Sequence, residues 1–394
     1  MPPIQYNDDE PLYSERPEWS DVQPLEQYEN ITPLAPIFYS PEYKDATGYL
    51  RAVVKSGEKS QRVLGLTESV IRMNPAHYSA WQYRYETLVA LIPSDFKTPS
   101  TINSPDPLPQ ILQDEIKLLD QLSTAFLKTY QVWHHRRLLL LLTRQAGHEL
   151  DFIKKGLIEV DEKNYHTWSY RQWILGSFGG LGGGGTDESG DWQAVDEDLW
   201  VGELDFVDMM LAQDVRNNSA WHHRFFVVWG CGVRDGEEDR ERVLKRELIY
   251  AKQNISLAPN NPSAWNYLRG VLTHTKTPFS PLLPFAIQYI QPLDFGGNEG
   301  SGQEPKGIVD LENPPPSETA QLPCVQAMEF VADAWEADAL QGDGDQEKLK
   351  RAVKVWERLA TEYDVIRNND VPLPYDCRYW EHRIRDAHVA MKKL

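Results

Sequence analysis

Two short stretches of the chain gather side chains that could hold an anion. Lys128-Thr129-Tyr130-Gln131 and Lys163-Asn164-Tyr165-His166 place a cation, a phenol, an amide and an imidazole on consecutive turns, each leading into a helical pattern. Free backbone N–H groups and the positive end of the dipole already favour anions at a helix N-terminus. A cluster of this kind could hold a diphosphate. Each lysine reads equally as a solvated loop cation, and His166 as a packed core histidine; spacing alone leaves those readings open.

The elements that must position these turns are visible as a repeat. One signature recurs: Asn74-Pro-Ala-His-Tyr-Ser-Ala-Trp81-Gln-Tyr-Arg84, Lys128-Thr-Tyr-Gln-Val-Trp133-His-His-Arg136, Lys163-Asn-Tyr-His-Thr-Trp168-Ser-Tyr-Arg171, Asn217-Asn-Ser-Ala-Trp221-His-His-Arg224 and Asn260-Asn-Pro-Ser-Ala-Trp265-Asn-Tyr-Leu-Arg269. A degenerate sixth copy is Tyr375-Asp-Cys-Arg-Tyr-Trp380-Glu-His-Arg383. Successive tryptophans of the first five copies lie 52, 35, 53 and 44 residues apart, helical-hairpin length with insertions. Amphipathic stretches such as Glu58 to Arg72, Leu108 to Phe126 and His148 to Val160 precede the signatures, so each signature marks the inter-helix turn and the start of a second helix. Asn, Asp or Pro before the tryptophan supplies turn and cap chemistry, and Trp with Arg at i, i+3 shares one helix face. The pattern predicts an all-α stack of antiparallel helical hairpins.

Because the Trp–Arg pair recurs in every copy, it reads as fold chemistry, the indole packed between helices and the guanidinium tying neighbouring turns. The tandem pairs His134-His135 and His222-His223 point in different directions on a helix, which argues against zinc on this chain. Residues 1–45 carry prolines that interrupt any long helix and read as an extended arm, with Tyr13, Trp19, Tyr28, Phe38 and Tyr39 as anchors. Residues 46–394 read as a single repeat domain carrying a glycine-rich loop at 179–190 and a Pro/Gly-rich insertion at 275–323. The glycine loop follows a helical pattern and lacks a Gly-Lys-Ser/Thr ending, so it is not read as a phosphate loop.

Composition narrows the function classes. The chain has 394 residues, 41% of them hydrophobic, enough for a sizeable core, with 13 Trp and 18 Tyr. Forty Lys plus Arg against 59 Asp plus Glu give a formal charge of −19, which would repel a phosphate backbone and disfavours general nucleic-acid binding. Any bound anion needs a local basic cluster. Cys231, Cys324 and Cys377 are far apart and odd in number, suiting a reducing compartment better than a disulfide framework. The first twenty residues hold no apolar signal region, and no run approaches a membrane span; a soluble cytoplasmic protein is expected.

The Tyr-x-x-Trp-x-x-Arg hairpins, and above all the stretches beginning at Lys128 and Lys163, resemble the α subunits of protein farnesyltransferase and geranylgeranyltransferase type I, over about residues 19 to 274 and loosely beyond. The resemblance implies a right-handed superhelical array of these hairpins partnered by a β subunit that carries the catalytic zinc, with magnesium for farnesyl transfer. It implies transfer of farnesyl or geranylgeranyl from the prenyl diphosphate to the Cys of C-terminal CaaX sequences. By that resemblance Lys128 reaches the diphosphate with Tyr130 beside it, and Asn164, Tyr165 and His166 line the diphosphate end. Gln131 meets the peptide carboxylate, and Tyr78, at the equivalent turn of the first repeat, lies near the peptide. Thr129 departs from the family, where Asn is usual, and the two insertions are extra. The thiolate would be generated on the partner's metal, so the chain alone is expected to be inactive.

Two other readings compete. A non-enzymatic tetratricopeptide-like scaffold fits the hairpin length, but its small-residue positions are not visible and the Trp-x-x-Arg signature speaks against it. The α subunit of the Rab-specific geranylgeranyltransferase has similar repeats; Gln131 fits a CaaX carboxylate better.

Overall fold

Every one of the five signature tryptophans makes the same bond. Its indole N–H donates to the carbonyl six residues earlier, at 2.8–2.9 Å: Trp81 to Pro75, Trp133 to Leu127, Trp168 to Glu162, Trp221 to Val215 and Trp265 to Pro259. The bond closes the inter-helix turn on the fourth residue of the second helix, and the rest of the ring is buried. A phenylalanine could fill that space but would take this donor from the carbonyl; those of Val215 and Pro259 also accept from Asn261 Nδ2 and Cys324 Sγ.

The structure, a computed structural model, describes residues 11–28, 32–158, 160–181, 195–231, 240–290, 312–318, 320–341, 345–366 and 374–393. Among these residues all regular elements are helical. Much of the glycine-rich loop, residues 182–190, and residues 291–311 and 319 of the insertion lie outside them. Chain contacts divide into two compact units, Met1–Val201 and Gly202–Leu394, where the sequence led us to expect one domain from residue 46.

In the first unit the helices are α1 (Pro41–Ser56), α2 (Gln61–Met73), α3 (Tyr78–Leu91), α4 (Gln110–Ala125), α5 (Tyr130–Thr143), α6 (Ala146–Phe152) and α7 (Tyr165–Phe178). A single π turn, Ile153–Leu157, extends α6. The hairpins are α2 with α3, α4 with α5, and α6 with α7. Helix α2 shows why they pair: Val63, Leu64, Leu66, Thr67, Val70 and Ile71 are buried on one stripe at helical spacing. Helix α1 was not foreseen, because Pro41 reads as a breaker; here it occupies the first helical turn, where no N–H is needed, and Ser40 caps it. The arm is not wholly extended either. Two short 3₁₀ turns seat Tyr13 and Trp19 against Tyr49 of α1, with the Tyr13 hydroxyl bonded to Ser69 at 2.8 Å. Of the other expected anchors, Tyr28, Phe38 and Tyr39 remain exposed.

The second unit holds α8 (Glu203–Gln213), α9 (Asn218–Phe225), α10 (Arg240–Leu257), α11 (Pro262–Thr275), α12 (Leu283–Ile287), α13 (Val325–Gln341), α14 (Gln346–Ile366) and α15 (Pro374–Met391). Helices α8 with α9 and α10 with α11 repeat the hairpin, while α14 packs against both α13 and α15. In the degenerate sixth signature the Trp380 indole donates to the Glu329 carboxylate on α13, at 3.0 Å.

Signature arginines tie one hairpin to the next. Arg84 on α3 forks onto Glu115 of α4 at 2.8 and 2.6 Å, Arg136 on α5 bonds Glu149 of α6, and Arg224 on α9 bonds Glu247 of α10 at 2.7 Å. All six groups are buried, so each charge depends on its partner. Burial alone would raise the Glu115 and Glu149 pKa values; the Arg84 and Arg136 charges overcome it and hold both at about 2.

Candidate functional site

Turns before α5 and α7 come together around His166. The Tyr130 ring meets the His166 ring edge-on at 4.3 Å, Tyr165 lies 5.4 Å from it and Trp133 stacks at 6.3 Å. Burial lowers its pKa, against the opposing influence of the Lys128 backbone, and so favours the neutral ring. His166 thus joins the two stretches singled out in the sequence.

Lys128 projects outward from this cluster with its side chain 79% exposed, and its Nζ lies 3.6 Å from Asp161 Oδ2. Lys163 is less available: it sits 3.7 Å from Glu162, its neighbour. Asn164 is only 4% exposed, and its Oδ1 accepts the N–H groups of His166 and Thr167 at 2.9 and 3.2 Å, an N-cap for α7. Its amide oxygen thus orders the turn.

Asn217 and Asn261 cap α9 and α11 in the same way, and His77 caps α3 through Nδ1. Thr129 makes no such bond. The first-turn N–H groups of α5 are therefore without a side-chain acceptor, beside the exposed ammonium of Lys128. That combination favours an anion at this turn over the other four.

Tyr130 and Tyr78 are both exposed, and with Gln131 they line one cavity of about 790 Å³ together with Trp81, Tyr85 and Leu138. A wall of five Tyr and Trp rings with two amides, Gln82 and Gln131, suits an extended apolar chain that ends in, or carries, a polar group. Lys128, Tyr165 and His166 are not among its lining residues, so Tyr130 and Gln131 are the residues common to the cavity and the cationic turn.

Neither tandem histidine pair forms a metal site. His135 bonds Glu115 at 2.8 Å and His223 bonds Glu203 at 3.0 Å, each inside its own hairpin, while His134 and His222 face outward. Among the described residues no group of three or more His, Cys, Asp or Glu side chains converges to hold an ion. The donors present do not fit a zinc or magnesium site. No helix among them is long and apolar enough to cross a membrane.

Asp161 was missed in the sequence, and so were the buried glutamates that receive the arginines. The only sequence signal for Asp161 is its place three residues before Asn164; nothing local says that it faces a lysine more than thirty residues away.

Known proteins fit this architecture. The protein prenyltransferase alpha subunit repeat matches residues 60–91, 112–143, 147–178, 200–230 and 244–275, each span ending in the second helix of a hairpin or just beyond it. The protein farnesyltransferase/geranylgeranyltransferase type-1 subunit alpha of Dictyostelium discoideum is 38% identical over 274 residues, 67% of this chain and 72% of that one. Its Candida albicans counterpart is 27% identical over 374 residues, covering 93% and 96%. A solved structure, Candida albicans protein geranylgeranyltransferase-I complexed with GGPP, aligns with a TM-score of 0.65 and 25% identity over 93% of this chain and 98% of that chain. The scaffold and Rab-enzyme readings lose ground accordingly, and the chain belongs to the family of protein farnesyltransferase/geranylgeranyltransferase type-1 α subunits.

Proposed function

We propose that this chain is the α subunit of a cytoplasmic heterodimer that transfers a farnesyl or geranylgeranyl group from its diphosphate to the Cys of C-terminal CaaX sequences. Lys128 is the leaving-group residue. As the carbon–oxygen bond breaks, its electron pair stays on the diphosphate oxygen while the Cys sulfur bonds the freed carbon. Charge on the diphosphate rises through the step, so a fixed ammonium stabilises the transition state more than the ground state. The observation that carries this reading is the turn itself: an exposed ammonium beside an uncapped helix N-terminus.

His166 and Tyr130 hold the turn, Tyr165 borders the diphosphate end, and Asn164 acts through the cap. Gln131 can donate its amide N–H to a terminal carboxylate, with Tyr78 and Tyr130 along the apolar residues that precede it. Zinc and magnesium belong, in this reading, with the β subunit, since no donor set for them converges among the described residues.

Co-expression with a β subunit and an assay with prenyl diphosphate and a CaaX peptide tests the heterodimer. Transfer is expected with both chains and absent with either alone. Full activity from one chain would overturn the proposal.

A further inference from the structure

Five inter-helix turns of one architecture allow each position to be compared with its equivalents. In every signature the carbonyl three residues before the helix N-cap accepts that residue's N–H: Asn74 from His77, Phe126 from Thr129, Asp161 from Asn164, Asp214 from Asn217 and Ala258 from Asn261. Where that residue is Asn or Asp, its side chain usually serves the turn as well. Asn74 Oδ1 accepts the Ala76 N–H at 3.2 Å, and Asp214 Oδ1 accepts the Arg216 N–H at 2.9 Å.

Asp161 also reaches beyond its own turn: its Oδ2 lies 3.6 Å from Lys128 Nζ of the preceding repeat and accepts from Asn164 Nδ2 at 3.4 Å. The same carboxylate oxygen is thus held near the buried cap of α7 and close to the lysine of the preceding repeat. Lys128 otherwise hangs on four flexible carbons, and a free lysine pays rotamer entropy each time it is brought to one place. A carboxylate anchored to the α7 cap limits the region that the ammonium samples.

We infer that Asp161 is a positioning residue for Lys128. It parks the ammonium against the Tyr130–His166 turn before a diphosphate arrives and is left behind when the leaving group gathers charge. This inference rests on the leaving-group reading of Lys128 above. The pair is partly exposed, so the attraction is modest and the effect on rate is small, about 2- to 5-fold, the range of an exposed ion pair.

The test is a double-mutant cycle on the assembled heterodimer, with single-turnover prenyl transfer to a CaaX peptide as the readout. Asp161→Asn suits the turn, because Asn74 occupies the same position in the first repeat. Asp161→Asn is expected to slow transfer about 2- to 5-fold and Asp161→Glu to restore most of the rate; in a Lys128→Ala background Asp161→Asn is expected to cost nothing further. An equal loss with or without Lys128, or no loss in the wild-type background, would overturn the role of Asp161 while leaving that of Lys128 intact. A Lys128→Ala enzyme as fast as wild type would instead remove the leaving-group reading on which the inference stands.

Discussion

His166 is the residue on which the candidate site is assembled, since its ring meets those of Tyr130, Tyr165 and Trp133. These contacts describe the packed histidine of its two readings; the ligand reading belongs to the proposed function. Its lowered pKa carries a sign. Stability from the neutral ring is complete above the unfolded value of about 6.5 and is lost as pH falls through the lower folded value. Melting temperature is therefore expected to drop between about pH 7 and pH 5, and to drop less in His166→Asn; equal drops in both proteins would contradict this. At this scale the sequence was readable for residue types and silent about partners. Lys128, Tyr130, Tyr165 and His166 converge, and the Asn164 amide oxygen caps α7. Asp161 carried no motif, since its significance depends on the stacking of two repeats.

Helical hairpins owe their definition to three recurrent contacts: the tryptophan–carbonyl bond, the N-cap and the arginine–glutamate pair. The N-cap was legible, because it lies within one signature; the tryptophan read as packing between helices, with no sign of its carbonyl partner. The third was not legible either, since Glu115, Glu149 and Glu247 sit in helices where acidic residues normally mark the solvent face. Removing Glu115 strands Arg84 and takes a partner from His135, so Glu115→Ala is expected to cost roughly 3–5 kcal/mol in urea unfolding of the heterodimer or chain. Trp168→Phe keeps the packing and loses one bond, at about 1 kcal/mol. A Glu115→Ala loss no larger than that of Trp168→Phe would show that the pair does not tie the hairpins. Acidification acts in the same direction: the ionised Glu115 stabilises above its unfolded pKa of 4.5, and that stability fades as pH falls towards about 2. Helix α1 escaped the sequence reading because proline was counted as a breaker without regard to its place at the helix start.

On the scale of the whole molecule, a chain with a charge of −19 repels its own copies, yet it leaves Leu34 fully exposed and Phe38 94% exposed near the start of α1, and keeps an aromatic cavity open at the turns. A partner that covers such surface stabilises by mass action. The chain alone is expected to self-associate on size-exclusion chromatography and the co-expressed pair to elute as one sharp species; a stable, monodisperse single chain at high concentration would contradict that. The repeat architecture was readable from the signatures, and the expectation of a partner from the family resemblance they carry; nothing in the signatures at Trp168 and Trp221 marks the boundary between the two compact units. The central claim concerns one ammonium, and one comparison tests it most directly: prenyl transfer by the assembled heterodimer with and without Lys128→Ala. The account predicts a rate lower by roughly 10²-fold with assembly intact. An intact complex that transfers at the wild-type rate would contradict it.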